Sequence, residues 1–175
     1  MAKTLDKFRR GFERLLEGIV ILLMVVLATE VTVGTIFREI GHALAWYDEV
    51  ASVLLAWLTY YGSALAAMKR AHISVPGVVR AMPKALRLAT TLVAEALVFA
   101  FFGLLGWVGW SILGVLAGDT LVSLPQVSVE YTQSVIPIGS ALFIIAEALN
   151  LPRILSEARG ADPQGGIDVP LEATH

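Results

Sequence analysis

The chain has 175 residues, of which 57% are hydrophobic and only 16% charged, with a formal net charge of −2 and no cysteine. Soluble domains carry about a quarter charged residues, so this composition points to lipid as the solvent. Disulfides, thiol catalysis and cysteine-ligated metals are excluded, no nucleic-acid partner is suggested, and the length leaves no room for a separate catalytic module.

Residues 1–14 form a basic amino terminus with Lys3, Lys7, Arg9, Arg10 and Arg14. An apolar run over 15–37 follows, longer than the ~20 residues a helix needs to cross ~30 Å of hydrocarbon. A secretory signal peptide would have a shorter apolar region ending in a small-x-small cleavage site. This run passes Ala28 without a good site, so it reads as a retained span. A polar turn with Gly41 and His42 leads to a second span over 46–68. The third span covers 88–116, a loop with Asp119 and Pro125 follows, and the fourth span covers 129–151. The segment 152–175 reads as a tail, largely disordered, because its Gly, Pro and acidic residues build no apolar face.

Between spans 2 and 3 lies a basic segment, 69–87. Val75, Val78, Val79, Met82 and Leu86 recur at helical spacing, and Arg80, Lys84 and Arg87 form a second stripe in the same register. That pattern predicts an amphipathic interfacial helix with its basic groups on anionic headgroups. Ser74 and Pro76 suit its start, and Pro83 should end or bend it before the third span. The sequence therefore specifies an all-α membrane protein of four transmembrane helices with this interfacial helix between spans 2 and 3. Twelve Lys or Arg fall in the amino terminus, the 69–87 segment and the tail, against only Arg38 in the two opposite loops. Positive segments stay in the cytoplasm, which places both termini there.

Glu30 is the most unusual residue. A carboxylate that far inside a span costs on the order of 3 kcal/mol on the insertion scale, and no Lys or Arg lies within the core of any span. It is either protonated, hydrogen-bonded to hydroxyls of neighbouring helices, or matched by a group on another protein. A hydrogen-bonded packing contact is the preferred reading over a proton or cation site. Asp48 and Glu49 open the second span beside Trp46 and Tyr47. Carboxylates at a helix start are favoured by its free N–H groups and aromatics suit the headgroup boundary, yet the same group would serve as a docking feature, and both readings stand. Glu95 and Glu147, nearer the cytoplasmic ends, read as groups reaching water or the basic loop. His42, His72 and His175 are placed too far apart in the topology to pair on a haem, and they lack metal-ligand spacing. No cofactor is called for. Small residues at Gly62–Ala66, Gly114–Gly118 and Gly103–Gly106–Gly109 allow close helix contact.

In this order the pieces resemble the small membrane subunit, DctQ-like, of a tripartite ATP-independent periplasmic (TRAP) transporter. The resemblance runs from Phe37-Arg38 through Trp46, Asp48-Glu49, Trp57 and Gly62 to Arg70-Ala71-His72, then Met82-Pro83 and finally Val135-Ile-Pro137-Ile-Gly139. It covers about 15–151, and the ordered set carries it rather than any single motif. Asp48 departs from the family, which more often has Glu there. The resemblance implies a periplasmic substrate-binding protein that captures an organic acid and a large multi-span membrane subunit that imports it with sodium. The small subunit braces that partner in the bacterial inner membrane, holding no substrate itself. Trp46, Asp48, Glu49, Trp57, Gly62 and His72 are then candidates for the subunit interface or for docking. Two other functions compete. An autonomous proton-coupled exporter would use Glu30, but such exporters are shorter and need little connecting sequence. A redox-enzyme anchor would need paired histidines.

Overall fold

The computed structural model describes residues 2–71 and 82–159. Within them the chain forms α1 (Ala2–Glu39), α2 (Tyr47–Lys69), α3 (Lys84–Val115), the single turn and a half of α4 (Val129–Gln133) and α5 (Val135–Ala158). Four stretches, Asp6–Glu39, Tyr47–Lys69, Lys84–Val115 and Val129–Ala158, are long and apolar enough to cross a membrane. The only β-pairing among the described residues is an isolated bridge between Thr120 and Ser128.

Three boundaries differ from the sequence expectation. The basic amino terminus is part of α1, whose 38 residues make a rod of about 57 Å at 1.5 Å per residue. Polarity marks where a helix leaves lipid; it does not stop the helix, and residues 2–14 contain no proline. The third span begins at Lys84, directly after Pro83, whose fixed φ and missing N–H suit the position before a first turn. Lys84 and Arg87 are therefore the first turn of a membrane-crossing helix and not part of a separate interfacial piece. The last helix runs to Ala158 and holds Pro152 within it, so residues 152–158 are helical and not tail. The proposed interfacial stripe over 72–81, with His72 and Arg80, and the tail over 160–175 lie outside the described residues.

In lipid every backbone group and hydroxyl needs an internal partner. The span threonines meet this within their own helix: Thr29, Thr32 and Thr35 donate to the carbonyls of Val25, Ala28 and Val31 at 2.7–2.8 Å. α4 and α5 follow each other at Ser134. Pro137 sits three residues on, where its lack of an N–H removes the bond to Gln133 that would have fused the two helices.

The helices do not close into a bundle. α1 packs chiefly on α2, α2 on α5, and α5 on α3, so the order across the protein is α1–α2–α5–α3, an open row. Leu16, Ala64, Ala67, Met68, Phe143 and Ala146 make the buried core where α1, α2 and α5 meet. The Phe102 ring stacks on Phe143 at 3.6 Å between centroids and carries the packing on to α3. Three glycines sit at tight seams: Gly34 against the Tyr47 ring, Gly109 and Gly139. A Cβ on Gly109 would lie 2.6 Å from the Ile136 side chain, and one on Gly139 would lie 2.7 Å from Tyr60. Glycine here lets side chains of the next helix seat directly on the backbone, the close packing on which association in lipid depends.

Candidate functional site

Polar groups gather at the two ends of the row. One end carries the turn between α1 and α2 and the loop between α3 and α4. The other carries Lys69, Arg70, Arg87 and Arg153.

At the loop end, Trp46 precedes α2 and is 36% exposed, Asp48 is exposed, and both Asp48 and Glu49 lie in the first turn. Glu49 caps nothing in its own helix. Its carboxylate accepts from the Val122 N–H at 3.0 Å, from the Ser123 N–H at 2.8 Å and from the Ser123 hydroxyl. The loop it holds is itself ordered: Leu121 N–H donates to Val127 and Val129 N–H to Asp119, around Gly118 at φ +102, where a side chain would be strained. The tether leaves Val122 92% exposed at the tip. Docking and capping were the two readings of Asp48 and Glu49. The geometry gives Glu49 a third role, as a clasp between loops, and leaves Asp48 facing solvent.

Trp57 lies deeper, and its indole N–H donates to the Thr132 carbonyl at 2.9 Å, joining α2 to the short α4. That bond is internal, so it removes Trp57's polar edge from the candidates for docking. Gly62 meets no atom of its own chain where a side chain would project. Its small surface stays open to lipid or to another protein. Gly106 and Gly109 face α5, whereas Gly103 and Gly114 are open. Trp107 and Trp110 point away from the row, with Trp107 72% exposed.

Glu30 falls on the stripe Leu16, Leu23, Leu27, Glu30 and Gly34, the less exposed side of α1. Gly34 is closed against the Tyr47 ring of α2, so this stripe is the α1–α2 seam. Both Glu30 carboxyl oxygens are inaccessible and have no hydrogen-bond partner among the described residues. Thr29 and Thr32, close to it in sequence on the same helix, donate to backbone carbonyls. Among the described residues no hydroxyl of a neighbouring helix reaches Glu30.

The basic end laces each pair of neighbours in the row. Lys69 pairs with Glu17 at 2.5 Å across α1–α2. Arg70 grips Glu157 with both guanidinium arms, at 2.7 and 2.9 Å, across α2–α5, and Arg153 adds a third bond to Glu157. That hydrogen-bonded carboxylate pushes the Arg70 guanidinium further above its ordinary range. Arg70 sits at φ 54, ψ 33, a left-handed conformation that costs a non-glycine residue about 1–2 kcal/mol; the two-pronged grip helps hold it there. Arg87 donates to the Ala158 carbonyl at 2.9 Å across α3–α5. It therefore closes the end of the last helix.

Sequence reasoning missed Asn150. It is fully buried, and its amide donates to the Ala67 and Met68 carbonyls at 2.9 and 3.2 Å, sealing the end of α2. An amide side chain in a helix otherwise apolar was the available signal. No group of three or more acidic or histidine side chains able to hold a metal occurs among the described residues.

These features form a four-span plate, laced at both ends, with broad apolar faces. The family model described as the DctQ component of tripartite ATP-independent periplasmic transporters matches residues 23–157. The chain belongs to that family. No individual curated protein matches it. The match runs from the middle of α1 nearly to the end of α5 of this DctQ component and includes the Glu49 clasp and the Arg70–Glu157 pair. It is a transporter component and a small membrane subunit of a TRAP system.

Proposed function

We propose that this DctQ component is a brace. It transports nothing itself and holds the stationary part of a separate large membrane subunit that imports an organic acid with sodium. It sits in the bacterial inner membrane with both termini in the cytoplasm, so the loop end faces the periplasm. The observation that carries this reading is the open row α1–α2–α5–α3. A closed bundle would spend its apolar surface on itself. A row leaves both faces free, and lacing at each end keeps the plate rigid. Packing in lipid relies on close contact of small residues, and the open surface at Gly62 offers such a contact.

The periplasmic rim, with Trp46, Asp48 and the Val122 tip held by Glu49, is the surface offered to the large subunit or to the arriving substrate-binding protein. Glu49 would act by positioning that rim. Trp57 would act through α4 in the same way. Substrate choice would reside in the partners.

Co-purification in mild detergent tests the proposal. A large multi-span protein should elute with the tagged chain in fixed stoichiometry, and Gly62→Leu should weaken that association while the chain still inserts. Elution of the tagged chain alone under conditions that preserve membrane complexes would overturn it.

A further inference from the structure

α3 joins the row almost entirely through α5, and the register of that seam is regular. Arg87 meets Ala158, Phe102 meets Phe143, and the Gly106 and Gly109 positions meet Ser140 and Ile136. Each residue forward on α3 is matched by about one residue back on α5. That antiparallel register places Glu95 level with Asn150 and within a turn of Glu147. Glu95 and Glu147 lie within hydrogen-bonding reach of each other. Of the two partners their positions suggested, water or the basic segment, Arg70 of the basic segment faces both carboxyls.

This level of the seam is short of donors. Glu95 Oε2 and Asn150 Oδ1 are both buried acceptors with no hydrogen-bond partner among the described residues. The charged group facing the two carboxyls is Arg70, at the end of α2. Each of its two arms gives one N–H to Glu157, and no bond from it reaches Glu95 Oε2. Buried acceptors without a donor are rare in native structures, and two carboxylates sharing one apolar site cannot both stay ionised. Two carboxyl groups can bond to each other only when one carries a hydrogen. We propose that Glu95 and Glu147 form a proton-binding site, in which one shared proton clasps α3 to α5. The proton comes from solvent at the basic end and returns there when the clasp opens. Among the described residues the one extensive interface of α3 is with α5, so this proton adds to the Phe102–Phe143 stack and the Arg87 bond that hold the last helix of the row.

The sign of the pH effect follows. The folded chain holds a proton that the unfolded chain releases, so the stabilisation is present at low pH and is lost as pH rises. The folding constant should fall by up to tenfold per pH unit over that range, the limit for one proton. Infrared spectra of the purified full chain test the site directly, read as differences between the parent and E95Q, E147Q and the double variant. Each single variant should remove one protonated-carboxyl band, and the double should remove no more than either single, because there is one proton to lose. Both single variants should also show a thermal midpoint independent of pH where the parent declines. An amide supplies the donor in place of the proton, so both single variants should fold. Bands unchanged in the single variants, a double variant that removes twice as much, or failure of both singles to fold would each overturn the proposal.

Discussion

Glu49 in the first turn of α2 accepts hydrogen bonds from both the backbone N–H and the hydroxyl of Ser123, 74 positions along the chain. One carboxylate thus ties the start of the second span to the loop between the third span and α4. The two elements share no helix-helix seam at that point, so the clasp supplies the order that packing does not. It also fixes which residue, Val122, stands outermost.

Replacing Glu49 should therefore loosen the loop without disturbing insertion. In Glu49→Ala, hydrogen exchange at the Val122 and Ser123 amides should speed up severalfold, while the amides of α5 stay protected. Asp48→Asn should leave the same two amides unchanged, since Asp48 makes no bond to them. Equal exchange in the parent and in Glu49→Ala would remove the clasp.

The tight glycines and the open ones should separate cleanly. Gly109→Leu and Gly139→Leu push side chains into Ile136 and Tyr60 and should each cost about 1–3 kcal/mol of stability, the usual range for overpacking. Gly103→Ala should cost nothing measurable, because a Cβ there meets no neighbour. Unfolding measured in detergent or bicelles checks both. Similar midpoints for all three variants would contradict the row.

Asn150→Ala should destabilise the chain by about 1–3 kcal/mol, the cost of losing buried hydrogen bonds. Its amide donates to the Ala67 and Met68 carbonyls, and Ala67 keeps the bond from the Arg70 N–H. Exchange at the last turn of α2 should rise in the same variant. A neutral effect on both would show that water replaces the amide.

Glu30→Leu is expected to raise the thermal midpoint of the isolated chain. It removes two inaccessible acceptors that have no partner and puts an apolar side chain on an apolar seam. A fall in the midpoint would mean that the carboxyl makes a stabilising contact within the chain. The same variant tested in the complex reports on the remaining role. Lost association there, with a more stable isolated chain, would assign Glu30 to a partner.

The spans were legible because hydropathy over a length of ~20 residues is a direct record of the bilayer. α1 ends shortly before Gly41 and α2 just before Arg70, and both of these residues take left-handed conformations. The first and last helices extend past their apolar blocks, because helix formation depends on backbone bonds and not on lipid contact. Pairings between distant residues were not legible. Nothing local to Glu49 points to Ser123, and nothing local to Arg70 points to Glu157. The open row was hidden for the same reason: in lipid an outward face and a packed face are both apolar, so periodicity cannot separate them. Asn150 was visible in the sequence, but its partners, two backbone carbonyls at the end of α2, were not.

Reconstituted uptake tests the brace most directly. The large subunit and its substrate-binding protein are placed in proteoliposomes with a sodium gradient, with and without this DctQ component, and the component is also tested alone. The predicted result is organic-acid uptake only when the DctQ component and the large subunit are together. Full uptake by the large subunit without it, or sodium-driven transport by this chain alone, would contradict the account.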